Sequence, residues 1–242
     1  MYIIKLDAID STNAYLKTLV GTTLPKDFTV VVASSQSKGR GQMGTSWQSQ
    51  HGKNLTVSVF KRLDCLTVNQ QFYVSMLVSL AICDALKSFY ISKLSVKWPN
   101  DILAGNSKIC GILIENVIKN NQLKGCIIGI GLNVNQKFFD HLPRASSMSL
   151  INGVIYDLDE VLHRILKQLE IKFKNFNAQK FEPLKRRYEM VMFRKEKPST
   201  FKSDEGVFSG IIKGVTKTGQ LKIWTEDDHI KVFDFKSVEL FY

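Results

Sequence analysis

Two periods of apolar spacing alternate along this chain. Residues 28–32 (Phe-Thr-Val-Val-Val) and 55–60 (Leu-Thr-Val-Ser-Val-Phe) are apolar and β-branched, and they predict strands. The 34–54 stretch between them is polar and turn-prone, which predicts a long loop of functional type. Residues 2–6 predict a short strand, followed by a helix over 12–19 that Asp10 or Ser11 can cap. The 68–89 segment is apolar nearly all round, with Phe72, Val74, Met76, Leu77, Val78, Leu80, Ala81, Ala85 and Leu86, so it predicts a central buried helix. Residues 94–96 predict a strand running into a Trp98-Pro99-Asn100-Asp101 turn. Residues 108–117 and 125–134 predict a strand pair with Asn120-Asn121 as its turn. Asp157 and Glu160 make a capping-box-like helix start. Leu158, Val161, Leu162, Ile165, Leu169, Phe173 and Phe176 then recur at helical spacing, a core stripe, and a second helix is predicted over 181–191.

The pattern changes near Lys195, where Glu196-Lys197-Pro198 breaks the helical run. Beyond Thr200, short strand-like pieces are punctuated by Gly206, Gly210, Gly214, Gly219 and Asp227-Asp228, which predicts a small barrel. A core of about 45 residues is near the limit of independent folding, so this piece is expected to lean on the rest. The fold class is therefore α+β: a mixed β-sheet domain flanked by helices over 1–194, then a small β-barrel over 195–242.

Composition narrows the class without naming it. The chain has 242 residues, 44% hydrophobic and 23% charged, ordinary for a globular enzyme. No apolar run approaches a membrane span, and Met1-Tyr2-Ile3-Ile4-Lys5 is not a signal peptide. Cys65, Cys83, Cys110 and Cys126 are scattered without a C-x-x-C pair, which predicts free thiols in a reducing cytoplasm. The four His residues show no metal spacing. The net charge of +11 is compatible with nucleic acid, an acidic protein or an anionic substrate. The Lys residues are dispersed apart from Lys185-Arg186-Arg187, and no nucleic-acid motif accompanies them.

Two stretches carry chemistry. Lys38-Gly39-Arg40-Gly41-Gln42-Met43-Gly44, followed by Trp47, satisfies G-x-G-x-x-G, but a dinucleotide fold needs a helix next and this sequence continues polar into a strand. It reads instead as a glycine-rich loop with a buried Arg fork. Lys97-Trp98-Pro99-Asn100-Asp101, with Lys108 and Gly111 after it, places a carboxylate and an ammonium just beyond strand ends. Together they describe a site that holds one anion against another and joins them.

These residues resemble the biotin–protein ligases. The resemblance rests on Ser11-Thr12-Asn13, Gln36 ahead of Gly39-Arg40-Gly41, Trp47, Lys97 to Asp101, Lys108 with Gly111, and Gly129-Ile130-Gly131-Leu132-Asn133, in the family's order and over nearly the whole chain. It implies a C-terminal SH3-like barrel and ATP-dependent ligation of biotin to a lysine of a biotin carboxyl carrier domain, through biotinyl-5'-AMP. Lys108 would polarise the biotin carboxylate, Arg40 would hold carboxylate or phosphate, and Asp101 would ligate Mg²⁺ on the phosphates. Ser11, Thr12, Asn13, Gln36, Gly39, Gly41 and Gly111 would complete the biotin site. Gln42, Trp47, Lys97, Asn100 and Asn133 would join Arg40 and Asp101 in holding ATP or the adenylate. Ser11-Thr12 also fits a plain helix cap, Trp98-Pro99 a structural turn, and Asn133 a strand-end turn residue.

Two departures from the family pattern matter. Gln42 stands where a second Arg is common, so retention of the adenylate is expected to rest on Arg40. The chain opens directly on the ligase blocks, which predicts a ligase without a repressor's DNA-binding module and without sequence-specific DNA binding. Homodimerisation is left open by the sequence. The alternative is a lipoate or octanoate ligase or transferase of related fold, and the Gln36 and Ser11-Thr12-Asn13 set argues for biotin.

Overall fold

The structure is a computed structural model that describes every residue except 24, 64, 65, 120 and 121. The expected Asn120-Asn121 turn and Cys65 lie outside the described residues. In chain order the elements are β1 (Tyr2–Ile9), α1 (Thr12–Thr22), β2 (Thr29–Gln36), β3 (Leu55–Arg62), α2 (Phe72–Lys87), β4 (Leu94–Lys97), β5 (Asp101–Ala104), β6 (Ser107–Lys119) and β7 (Gln122–Leu132). Then come α3 (Met148–Asn152), α4 (Leu158–Lys174), α5 (Phe181–Met190), β8 (Pro198–Ser203), β9 (Gly206–Val215), β10 (Leu221–Thr225), β11 (Ile230–Phe233) and β12 (Val238–Phe241).

The first seven strands form one mixed sheet in the order β1-β2-β3-β7-β6-β5-β4. Only β1 and β2 run parallel. Strand alternation gives the sheet two different faces. Leu55, Val57 and Val59 of β3, Ile128, Ile130 and Leu132 of β7, and Ile112 of β6 share one face, and they join α2 and α4 in the main core. The opposite face carries Val31, Phe60 and Ile127, which pack under Leu16 of α1. That face is small and polar toward β5, and there it is left open for the site.

Each helix has a local reason to start or to be buried. Ser11 caps α1, and Asp157 accepts from the Glu160 N–H at 2.8 Å to start α4. α2 has no side-chain cap, and a short 3₁₀ turn at Val68–Gln70 precedes it where the sequence predicts continuous helix. Only Ser75, Asp84 and Lys87 of α2 escape burial. Each buried large apolar side chain contributes about 1.5–3 kcal/mol, which outweighs a missing cap of about 1 kcal/mol.

Strands β8–β12 form a second, antiparallel sheet in the order β11-β10-β9-β8-β12. Where a barrel was expected, β11 and β12 are edges with no pairing between them among the described residues. This sheet does lean on the rest. Phe201, Ile212, Leu221, Ile223 and Leu240 belong to the same core as α2. Trp98 Nε1 donates to the Gly219 carbonyl at 2.8 Å, and the Phe235 ring lies 5.4 Å from that of Trp98. β5 and the short α3 carried no recognisable period in the sequence, because four or five residues hold too little pattern.

Candidate active site

The open part of the sheet floors a cavity of about 610 Å³, lined from β1–α1, the 37–54 loop, β5–β7 and the C-terminal sheet. Its two ends differ in chemistry. At one end stand α1 and the end of β2, where the groups are neutral and bonded to one another. Gln36 Oε1 accepts from the Thr12 N–H at 2.8 Å and from the Thr12 hydroxyl at 3.1 Å. Those bonds aim the Gln36 amide, leaving its N–H₂ group as the available donor. The Ser58 hydroxyl lies 2.7 Å from Thr12 Oγ1 and 2.6 Å from Asn13 Oδ1. Asn13 Nδ2 donates to Glu115 Oε2 at 2.8 Å. Ser11, Thr12, Asn13 and Ser58 are all buried, so this end suits an uncharged polar group.

The other end is charged. Lys108 Nζ lies 2.8 Å from Asp101 Oδ1, an ion contact without hydrogen-bond alignment. A β-bulge makes the contact possible. Ile102 pairs Cys110, but Leu103 pairs Lys108, so Ile109 is an extra residue in β6. Lys108 and Gly111 are three positions apart, which would send them to opposite faces in a regular strand. The extra residue returns Lys108 to the face of Gly111 and Asp101. Gly111 pairs Gly131 across β6 and β7, and the Trp47 indole lies over both. A Cβ at Gly131 would overlap that indole, so glycine is what keeps the ring seated on this floor. The Lys108 ammonium sits 5.8 Å from the Trp47 ring centre.

Lys97 also faces this end. Burial pushes its ammonium below the ordinary lysine value; Asp101 and, less strongly, Glu239 oppose that, while Lys108 and Arg144 reinforce it. Its ammonium sits 4.8 Å from the Tyr242 ring centre, on the side chain of a residue far away in sequence. The Arg144 carbonyl accepts from the Lys108 N–H at 2.7 Å, and the Arg144 guanidinium lies 4.4 Å from the same Tyr242 ring.

Of the residues singled out from sequence, Ser11, Thr12, Asn13, Gln36, Arg40, Gly41, Gln42, Trp47, Lys97, Asn100, Asp101, Lys108 and Gly111 line the cavity. Gly39 and Asn133 do not. Gly39 lies behind Trp47, whose N–H donates to its carbonyl at 2.9 Å. Asn133 is buried beyond the end of β7, where its amide donates to the Ser146 carbonyl at 3.0 Å. Arg40 lines the cavity but is exposed rather than buried, and its backbone bridges to Ser46. The Met43 side chain lies outside what the structure describes. Cys83, Cys110 and Cys126 are free and buried. Sequence reasoning missed Ser58, Glu115, Arg144 and Tyr242. Ser58 left a trace as the polar break in an apolar strand; the others gave no signal before the fold joined their segments. Among the described residues no group of three or more His, Cys, Asp or Glu could hold a metal ion. Among the described residues no helix is long and apolar enough to cross a membrane.

The chain has relatives of known kind. Residues 6–133 match the model of the biotin/lipoate A/B protein ligase family. The bifunctional ligase/repressor BirA of Bacillus spizizenii is 30% identical over 236 residues, 96% of this chain and 72% of that protein. The biotin–[acetyl-CoA-carboxylase] ligase of Mycobacterium tuberculosis is 30% identical over 175 residues, 70% of this chain and 64% of that one. The biotin protein ligase of Aquifex aeolicus, solved in complex with biotin and ATP, superposes with a TM-score of 0.81 at 28% identity, covering 99% of this chain and 98% of that one. The match across the sheet, the glycine-rich loop and the Lys97 to Asp101 block makes this chain a member of the biotin/lipoate A/B protein ligase family.

Proposed function

We propose that this chain is a biotin–protein ligase that uses ATP to activate biotin as biotinyl-5'-AMP and passes it to a lysine of a biotin carboxyl carrier domain. The observation that carries this reading is the split polarity of one cavity. A buried, neutral, pre-bonded end at Ser11, Thr12 and Gln36 suits a ureido ring, whose carbonyl the Gln36 N–H₂ group can meet. A lipoyl or octanoyl chain has no group to meet the Gln36 N–H₂ donor, and covering a polar group without a partner costs about 1–3 kcal/mol. The charged end then receives the carboxylate and the phosphates.

In the first step a biotin carboxylate oxygen bonds the α-phosphorus and diphosphate leaves. Lys108 steadies the carboxylate and the developing charge, and Asp101 holds Lys108 in place. Lys97, Arg40 and Gln42 take the phosphate side, with Trp47 packed on the adenylate. A Mg²⁺ ion arriving with ATP would neutralise phosphate charge; Asp101 would hold it, and since no group of three or more His, Cys, Asp or Glu gathers among the described residues, phosphate oxygens and water would supply most of its ligands. In the second step the neutral amine of the carrier lysine bonds the acyl carbon and AMP leaves. Residues 1–194 would carry this chemistry, with 195–242 closing one wall.

Diphosphate release measured with biotin, lipoate and octanoate in parallel tests the reading. Release with biotin alone is expected. Equal or faster release with lipoate or octanoate would replace it with the related acyl ligase activity.

A further inference from the structure

Asp101 has two lysines within its neighbourhood, yet it pairs with one. Lys97 is its direct cross-strand partner in the β4–β5 register, and Lys108 reaches it over the bulge. The ion contact goes to Lys108. Lys97 makes no ion pair among the described residues, and its ammonium rests against the Tyr242 ring. The other cation near this ring is the Arg144 guanidinium, whose own backbone carbonyl accepts the Lys108 N–H. The ring is itself fixed, edge-on to Phe193 at 4.9 Å.

We infer that Tyr242 is a positioning residue: its ring holds Lys97 off Asp101 and so reserves the Asp101 carboxylate for Lys108. The inference rests on the ligase reading above. The physical reason is competition. Opposite charges attract more strongly in a half-buried site than in water; the Lys108 contact already meets part of the Asp101 charge, so a ring face suffices to hold Lys97. An ammonium freed from the ring would turn to the carboxylate beside it, and Lys108 would lose its fixed direction. A ring face attracts an ammonium without neutralising it, which leaves Lys97 available to an anion in the cavity. An acidic residue at this position would quench it instead.

The test separates the ring's electrostatics from its bulk. Tyr242→Leu and Tyr242→Met keep an apolar body against Phe193, whereas Tyr242→Phe keeps the ring. Biotin-dependent ATP–diphosphate exchange is measured on the full chain, with melting temperature as a control. The Leu and Met variants are expected to lose about tenfold in kcat, within the cation–ring range, with KM for biotin changed less than twofold because Ser11, Thr12 and Gln36 are untouched. The Phe variant is expected within twofold of the parent. In a Lys97→Ala background, Tyr242→Leu is expected to have no further effect, since the competitor is already gone. Equal losses in Leu and Phe variants would overturn the inference, as would a Leu variant that matches the parent. An undiminished tenfold loss in the Lys97→Ala background would overturn it too. Parent protein that shows no biotin-dependent exchange would instead overturn the ligase reading itself.

Discussion

Replacing Gly131 by Ala adds one methyl group, and that methyl lands on Trp47. The new Cβ would overlap the indole at Cε2 and lie 2.7 Å from Cζ2 and Nε1. Non-bonded carbons settle at about 3.5–4.0 Å, so the ring must retreat by about 1 Å. Its backbone cannot follow freely, because the Trp47 N–H is tied to Gly39 and a Cβ at Gly39 would in turn meet the Trp47 carbonyl. The indole therefore tilts off the Gly111–Gly131 floor. One aromatic stacking partner is worth about 1–3 kcal/mol to a base, which converts to about 5–150-fold in affinity for the adenylate. The fold should hardly notice. Ala in a strand interior is favoured over Gly by about 0.5–1 kcal/mol, which offsets the lost ring packing. Titration calorimetry with a non-hydrolysable biotinyl-adenylate analogue, beside thermal melting, reads both quantities. Affinity within twofold of the parent together with a melting temperature several degrees lower would refute the reasoning, for it would make the glycine pair a folding feature and not a ligand floor.

Lys108→Ala should fold normally, since Ile109 and Cys110 keep their buried places, and should lower biotin-dependent diphosphate exchange by about 10²–10³; exchange at the parent rate under saturating ATP would remove Lys108 from the chemistry. Arg40→Gly should release the adenylate and label proteins indiscriminately, because Arg40 is the exposed cation of the loop tip; an unchanged adenylate off-rate would contradict this. Asp84 joins α2 to α4 and α5 through Lys172 at 2.6 Å and Arg187 at 2.8 Å. Burial pulls its carboxyl upward, but the Lys172 hydrogen bond and the surrounding cations outweigh this and hold it below the usual range. A depressed carboxyl stabilises the fold above its unfolded-state value and loses that contribution as the pH falls through the folded one. Asp84→Asn should therefore cost about 1.5–3 kcal/mol near neutral pH, the range for a hydrogen bond to a charged group, and the gap to the parent should close in acid. Urea titrations at pH 7 and pH 3 check this, and a gap that widens in acid would reject it.

The long elements were legible because their periods are long. The α4 stripe, the apolar α2 and the β2 and β3 runs all formed close to where the pattern placed them. Every lining residue named from the glycine-rich loop and the Lys97 to Asp101 block came from a contiguous motif. What stayed hidden depended on distance or on phase. Tyr242 and Arg144 lie in segments with no local pattern, and only the fold brings them beside Lys97 and Lys108. Ser58 and Glu115 stand behind Asn13 through side-chain bonds that no spacing rule reports. The burial of Arg40 was misjudged for a different reason. A long side chain in a polar loop can reach a cavity and still keep much of its surface in solvent, and Arg40 does both.

Phase also explains the centre of the site. Asp101 and Lys108 are seven residues apart across a tight hairpin, and regular pairing would point their side chains to opposite faces of the sheet. One would then enter the α2 core as an unpaired charge, at a cost of several kcal/mol. The extra residue at Ile109 removes that conflict by shifting the alternation once. It buries Ile109 and Cys110 together and turns Lys108 toward the cavity. The bulge thus does two things with one residue: it keeps charge out of the core, and it brings an ammonium and a carboxylate onto a floor made of Gly111 and Gly131. The neutral end has no such device because it needs none; its groups sit at a helix start and a strand end, where side chains are already free to converge.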